Sequence, residues 1–139
     1  MVSLHASSHV VAVAFAIITA LAGLFLLGGC NKGDRPELGT VVGAVTLDGK
    51  PSPAVRLVFE PVEGGRASVG VTDADGRYEL TYIRRDKGAK VGAHKVRISA
   101  ANAEDGEKAE IPPQYSSGQT VLQANVQSGA NEINFELKP

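Results

Sequence analysis

Few side chains in this 139-residue chain could do catalytic or metal chemistry. Cys30 is the single cysteine, and the three histidines are His5, His9 and His94. A zinc site needs three or four histidine, cysteine or carboxylate ligands, and a nucleophilic triad needs a histidine base beside a serine or cysteine. Only His94 lies in the polar part of the chain, and no serine stands in a G-x-S-x-G turn. We therefore expect no metal site, no cofactor and no enzymatic activity.

One pair of aspartates has the spacing of part of a calcium-binding loop, in the sequence Asp73-Ala74-Asp75-Gly76. If Gly76 took the glycine position of an EF-hand loop, Val71 and Tyr82 would fall on ligand positions that neither can fill. We favour the alternative that the aspartates cap a tight turn between two strands. His94 is expected at the flank of a strand, either solvated or hydrogen-bonded.

Cys30 stands at a sharp boundary of composition. Residues 10–27 form an apolar run, and all 14 basic and all 15 acidic residues of the chain follow Cys30. The sequence Leu27-Gly28-Gly29-Cys30 resembles the lipobox of bacterial lipoproteins. That resemblance implies cleavage before Cys30, a diacylglycerol on its thiol and a further acyl chain, such as palmitate, on its new amine.

The predicted organisation is a signal peptide at residues 1–29, a tether at 30–38 and one domain at 39–139. The apolar run would make a helix of about 27 Å, so an uncleaved membrane anchor is the second interpretation. A buried core helix is the third and least favoured, because the run is not amphipathic. Residues 1–9 lack the Lys or Arg that normally begins a secretory signal. The two leading interpretations both put the domain outside the cytoplasm, on a membrane of the cell envelope.

Composition limits the class of domain that follows. A net charge of −1 gives no case for nucleic acid, and one cysteine excludes an intramolecular disulfide. Sixteen glycines, seven prolines and no tryptophan favour many turns. From residue 39 onward apolar and polar residues alternate, which predicts seven short strands in an all-β, two-layer antiparallel sandwich. The strands are predicted at residues 41–47, 55–59, 69–71, 78–82, 96–98, 122–126 and 133–137, with turns at 48–51, 75–76 and 128–131, a loop at 84–92 and a long connection at 101–119.

Four stretches resemble carboxypeptidase regulatory-like domains. Residues 43–51 resemble their G-x-V-x-x-x-G-x-P opening, 72–78 their T-D-x-x-G-x-Y/F hairpin, and 94–99 a later strand; the closing run 131–137 also fits. The resemblance covers about residues 39–139 and implies a transthyretin-like (prealbumin-like) Greek-key sandwich of seven strands. With the lipobox, the chain is similar to short bacterial lipoproteins that carry only this domain and have no established activity. The related 5-hydroxyisourate hydrolases rely on several histidines and a C-terminal Tyr-Arg-Gly-Ser, which this chain lacks.

Charge is unevenly distributed along the domain. A candidate anion-contact loop contains Arg84, Arg85, Lys87 and Lys90, and the acidic residues of 104–110 follow it. The loop could bind anionic lipid headgroups or surface polysaccharide, or the two stretches could simply be solvated faces of opposite charge. Residues 112–115 match the P-P-x-Y ligand of WW domains, which are not expected partners here. An extended, polyproline-like segment with Tyr115 packed on the sandwich is favoured.

These observations predict a non-enzymatic, membrane-anchored lipoprotein that acts as a binding or structural module. The alternative is an accessory subunit of an envelope enzyme or transporter. An enzyme would require a second buried ionisable group beside His94 in a cleft. Expected partners are the membrane, through lipidated Cys30, and an envelope protein or surface polysaccharide. Exposed edge strands leave self-association open, so no oligomeric state is predicted.

Overall fold

Strands make up nearly all of the regular structure in the computed structural model, which describes residues 35–101, 109–117 and 122–139. Residues Pro36–Pro139 form one compact unit. Its elements in chain order are β1 (Leu38–Leu47), β2 (Lys50–Pro51), β3 (Val55–Pro61), β4 (Ser68–Val71), β5 (Arg77–Glu79), β6 (Thr81–Ile83), β7 (Asp86–Lys87), β8 (Ala89–Lys90), β9 (Gly92–Ala100), α1 (Pro113–Ser116), β10 (Leu122–Val126), β11 (Gly129–Glu132) and β12 (Phe135–Leu137).

Strand β1 is the centre of the first sheet. Along one edge it pairs antiparallel with β2, β5 and β8, which follow one another down its length. Along the other edge it pairs in parallel with β11, from Gly39 opposite Gly129, and then with β12, from Val45 opposite Phe135. The first and last strands of the domain are therefore neighbours.

The second sheet has the order β10-β9-β3-β4-β6-β7, and every neighbouring pair is antiparallel. Its longest ladder joins β3 and β9, from Val55 opposite Ala100 to Pro61 opposite His94. Antiparallel pairing, as predicted, thus holds throughout this sheet and along one edge of β1.

The two sheets pack against each other around one hydrophobic core. Phe59 of the second sheet is completely buried, and its ring centroid lies 6.1 Å from that of Phe135 and 6.4 Å from that of Tyr78, both in the first sheet. These separations are typical of favourable aromatic pairs. The all-β prediction is confirmed, and the predicted alternation correctly gives the inward residues Val41, Val45, Val55, Leu57, Phe59, Tyr78, Leu80, Val96, Ile98, Val126, Phe135 and Leu137.

The described residues form twelve strand segments where seven strands were predicted. The predicted strand at 78–82 is divided at Leu80, so that β5 joins the first sheet and β6 the second. The Leu80 N–H donates to Val41 O at 3.0 Å, and its carbonyl accepts from Gly88 N at 2.7 Å. Leu80 would be buried in one continuous strand, and it is buried at the crossing as well. The alternation of apolar residues therefore continues unchanged while the chain crosses between the sheets.

Three connecting segments also contain more structure than predicted. The loop at 84–92 contains β7 and β8, and the turn predicted at 128–131 is already strand β11 from Gly129 onward. Residues Pro113–Ser116 form a helical turn, so the extended conformation predicted there is wrong. Proline is well suited to the first turn of a helix because its fixed φ matches the helix and its missing N–H costs no hydrogen bond there. Tyr115 packs against the core, as predicted.

Residues from the stretches that resemble carboxypeptidase regulatory-like domains meet between the end of β11 and the start of β12. The Tyr78 hydroxyl donates to the carbonyl oxygen of Ile133 at 2.6 Å. A Cβ atom at position 43 would overlap that same carbonyl, so only glycine fits there. The Asn134 side-chain oxygen accepts from Ala44 N at 2.8 Å. Gly43 and Tyr78 thus hold the last part of the chain against β1.

Thr72 connects the hairpin motif to strand β3. Its hydroxyl donates to Ser52 O at 2.7 Å and accepts from Val55 N at 2.8 Å. Its own N–H donates to Val55 O at 2.9 Å. Thr72 and Ser52 are both buried, so this network satisfies backbone groups that water cannot reach.

Candidate functional site

The aspartate pair forms a turn, as the favoured interpretation predicted. One carboxylate oxygen of Asp73 accepts from the N–H groups of Asp75 and Arg77, each at 2.9 Å. The Gly76 N–H donates to Asp73 O at 2.9 Å, and Gly76 has a φ of +73°. The Asp73 carboxylate is therefore engaged with its own backbone. Among the described residues, no group of three or more His, Cys, Asp or Glu could hold a metal ion.

His94 lies inside the core, not on a solvated flank. It shares the inner face of β9 with Val96 and Ile98, and only 2% of its surface is exposed. Its ring centroid is 5.9 Å from that of Phe59. Nδ1 lies 3.0 Å from Gly92 O, so the hydrogen-bonded alternative is confirmed and the solvated one is wrong. The reason is strand register, because the period-two alternation that buries Val96 also buries the residue two places before it.

The environment of His94 favours its neutral form. Burial lowers the pKa of the imidazole, the Gly92 carbonyl opposes this shift, and the charge of Lys90 adds to it. A carbonyl oxygen can only accept, so the proton of the neutral ring belongs on Nδ1. Nε2 has no partner among the described residues. His94 also lines a shallow pocket together with Val62 and Gln123, but only 2% of its surface is exposed there.

The candidate anion-contact loop divides into paired and unpaired cations. Lys87 Nζ lies 2.6 Å from Glu79 Oε2, and Lys90 Nζ lies 3.3 Å from Gly64 O. Arg84 and Arg85 are exposed at the turn between β6 and β7, with no partner among the described residues. Exposed ion pairs such as Lys87–Glu79 contribute only about 0–1 kcal/mol, so they restrain a side chain more than they stabilise the fold.

Strand pairing adds Arg66, which the sequence analysis missed. Strands β4 and β6 are antiparallel, with Val69 opposite Thr81. Arg66, shortly before β4, and Arg84, just after β6, therefore lie at the same end of the sheet. Lys90 reaches this end too, since it contacts the loop that contains Gly64. We call these residues the basic end, and they are Arg66, Arg84, Arg85 and Lys90.

The chain enters the sandwich at the basic end. Leu38 pairs with Lys90, and Val91 N donates to Glu37 O at 2.9 Å. The hydrogen bond from Leu80 N to Val41 O also places the start of β1 at the basic end. From this bond, β1 followed toward its N-terminus and β6 followed toward its C-terminus both run toward that end. Glu37 also accepts a hydrogen bond from the Ser128 hydroxyl. Glu37 and Leu38, placed in the tether by the sequence analysis, thus contact the domain.

A groove of about 1130 Å³ lies on the outer face of the first sheet. Its lining from β1 includes the small residues Gly43, Ala44 and Thr46. Val42 of the first sheet and Val71 of the second both line the groove and are each 47% exposed, and we call this pair the apolar strip. Four carboxylates and one arginine line the groove, and they are Asp73, Glu79, Glu132, Glu136 and Arg77.

The lipobox residues Leu27, Gly28 and Gly29, Cys30 and the apolar run all lie outside the described residues. Within the described part of the chain, no helix has both the length and the apolar character needed to span a bilayer.

Comparison with known proteins shows a fold but no family. No family model matches the chain, and no curated protein matches it. A DUF3823 family protein from Parabacteroides merdae is 18% identical with a TM-score of 0.47, over 76% of this chain and 48% of that one. BcpA, the major pilin subunit of Bacillus cereus, is 13% identical with a TM-score of 0.50, over 73% of this chain and 30% of that one. This chain spans less than half the length of either protein. At 13% identity the likeness to BcpA is one of fold alone.

Proposed function

We propose that this protein is a non-enzymatic lipoprotein of the cell envelope whose β-sandwich works as a binding or structural module. The observation that carries the proposal is the position of the folded unit, which begins at Pro36, six positions after Cys30. An acylated Cys30 would hold the sandwich at the membrane surface. Two or more acyl chains anchor a protein stably, so no other membrane contact is needed.

Binding is favoured over catalysis because of where the reactive groups lie. His94 is enclosed in the core, and the Asp73 carboxylate is engaged in its own turn. The features exposed to a partner are a groove with an apolar strip and a cluster of cations at one end. These are properties of a surface that contacts another molecule, not of an enclosed site that activates one.

The finer form of the fold is part of the same proposal. We assign the sandwich to the transthyretin-like, carboxypeptidase regulatory-like Greek-key type. Its support is that two residues of the recognised motifs, Gly43 and Tyr78, both contact the Ile133 carbonyl and so have a defined structural task.

The test is the intact mass of the protein recovered from the membrane fraction, beside that of a Cys30→Ser variant. We expect the mass of residues 30–139 plus acyl groups, and loss of both the acyl groups and the membrane association in the variant. A mass that retains residues 1–29 would show an uncleaved anchor, and cleavage without lipid would show a secreted domain. Either result would overturn the lipid anchor and leave the sandwich intact.

A second candidate function is an accessory subunit of an envelope enzyme or transporter. The apolar strip of Val42 and Val71 in the groove favours it, because two exposed valines among the charged side chains that line the groove suit a protein contact. A photo-crosslinking residue at Val42 should then give one defined crosslinked species in cells. The same residue at Gln123, in the other sheet, is the control. Equal or no crosslinking at both positions would remove this candidate.

A further inference from the structure

We propose that the basic end of the sandwich binds anionic lipid headgroups and thereby sets the orientation of the domain on the membrane. The proposal rests on the proposed lipid anchor and names a second partner surface for it. Its structural basis is a coincidence of position, since the basic end is also the end at which the chain enters the domain.

The tether keeps the basic end close to the bilayer. Residues 31–36 can span at most about 21 Å when fully extended. The opposite end of β1 lies about 33 Å further away, since its ten residues each rise about 3.3 Å. The far end can reach lipid only if the sandwich lies on its side, whereas the basic end meets the headgroups in an upright domain.

The cations of the basic end are available for binding. Arg84 and Arg85 are exposed at the turn after β6, and Arg66 is exposed in the loop before β4. Lys90 is half-buried and already contacts the loop at Gly64, so it contributes less. Three arginines with no partner among the described residues therefore face outward at this end.

Among the residues that the structure describes, the acidic groups at this end each have a partner. Glu37 accepts a hydrogen bond from Ser128, and Glu63 lies 3.9 Å from Lys90 Nζ. Asp86, opposite Ile83 across the β6–β7 turn, has an interaction partner of its own. The carboxylates of the groove belong to the outer face of the first sheet, where Glu132 and Glu136 line it. The four cations of the basic end outnumber the three carboxylates named beside them, whereas the groove has four carboxylates and one arginine. A negatively charged bilayer would therefore attract the basic end and repel that face.

Each exposed Lys or Arg near an anionic membrane raises the partition coefficient of a protein onto that membrane about fivefold. The attraction decays within a Debye length, which is about 8 Å at physiological salt. Three arginines alone would bind weakly. The tether makes that contact intramolecular, so a weak surface attraction becomes a strong orientational preference.

The first test uses residues 31–139, which contain the whole compact unit and no lipidation site. The measurement is co-sedimentation with vesicles of phosphatidylcholine, with and without phosphatidylglycerol, at about 0.01 M and about 0.15 M ionic strength. We expect binding only to the phosphatidylglycerol vesicles, and weaker binding at the higher ionic strength. Replacement of both turn arginines, Arg84→Gln with Arg85→Gln, should lower the partition coefficient about 30-fold.

The matched control removes two cations from the opposite end, by Lys50→Gln with Lys138→Gln, since both lysines are exposed there. This control should bind almost as the parent does. An equal loss in both double variants would overturn the proposal, because it would show attraction through net charge alone. The single variant Arg66→Gln, expected to bind about fivefold more weakly, keeps the test sound if the turn variant fails to fold.

A second measurement reads orientation directly. Residues 31–139 contain no cysteine, so a single cysteine can carry a fluorophore, at Gln127 near the basic end or at Asp75 in the far turn. Quenchers attached to lipid headgroups should quench the label at position 127 more strongly than that at 75. Equal quenching, or tighter binding to alginate than to the vesicles at equal charge concentration, would overturn the lipid assignment. If the protein has the acylated mass but residues 31–139 do not bind vesicles, only the proposed binding of the basic end to lipid headgroups is refuted. If residues 31–139 bind vesicles but the protein is not acylated, only the proposed lipid anchor is refuted.

Discussion

Replacement of Thr72 by valine isolates the value of one buried hydroxyl. Thr72 is 5% exposed, and its oxygen satisfies both Val55 N and Ser52 O. Valine has nearly the same shape, so the packing is preserved while two buried backbone groups lose their partner. Each unsatisfied group costs about 1–3 kcal/mol, so we expect the two together to lower the free energy of unfolding by about 2–6 kcal/mol. For a domain of this size that corresponds to a fall of about 10–50 °C in Tm.

The assay is urea unfolding of residues 31–139 followed by circular dichroism. The midpoint should fall while the m-value stays constant, because the surface exposed on unfolding is unchanged. Thr72→Ser is the control, since it keeps the hydroxyl and loses one methyl group, worth about 1 kcal/mol. We therefore expect serine to be the milder substitution. Burial alone predicts the opposite order, so a valine variant as stable as the parent would refute the role given to the hydrogen bonds.

Three further predictions concern the core, one turn and pH. Phe59→Ala and Phe135→Ala should each cost about 3–5 kcal/mol in urea unfolding, and unchanged midpoints for both would contradict the sandwich core. Gly49 and Gly76 have φ near +75°, but only a Cβ at position 76 meets backbone atoms. Gly49→Val should cost about 1–3 kcal/mol for strain alone, and Gly76→Val about 1–3 kcal/mol more. Burial lowers the pKa of His94 in the folded protein, so as the pH falls below about 6.5 the histidine of the unfolded chain is protonated before that of the folded chain. Stability should therefore decline from pH 7 to pH 5, and His94→Phe should reduce that decline; identical pH profiles would contradict it.

The sequence predicts the strands well where burial alone decides them. Phe59 and Phe135 face inward because alternation is a direct consequence of one buried face. The crossing at Leu80 could not be predicted, since residues on both sides of it bury the same face of the chain. The parallel pairing of β1 with β11 and β12 joins residues about 90 positions apart, and no local pattern records such a partner.

The candidate surfaces were predictable only in part. The run of cations from Arg84 to Lys90 is visible in the sequence, but its division is not, because Lys87 pairs with Glu79 through the strand register. Arg66 joins the basic end only through the pairing of β4 with β6. The groove depends on which residues face outward from β1, and its rim comes from segments far apart in the chain. Such sites are properties of the tertiary structure.

The parallel pairing of β1 with the closing strands also determines how the domain bears a mechanical load. A pull between the Leu38 end of β1 and the Leu137 end of β12 acts along both strands in opposite directions. Their hydrogen bonds run across that line of force, so the bonds of the ladder are sheared together and none breaks ahead of the rest. A hairpin pulled apart at its open end would instead lose its bonds one at a time. A load applied between the two ends of this domain would thus meet the ladder in shear, the geometry in which its hydrogen bonds resist together.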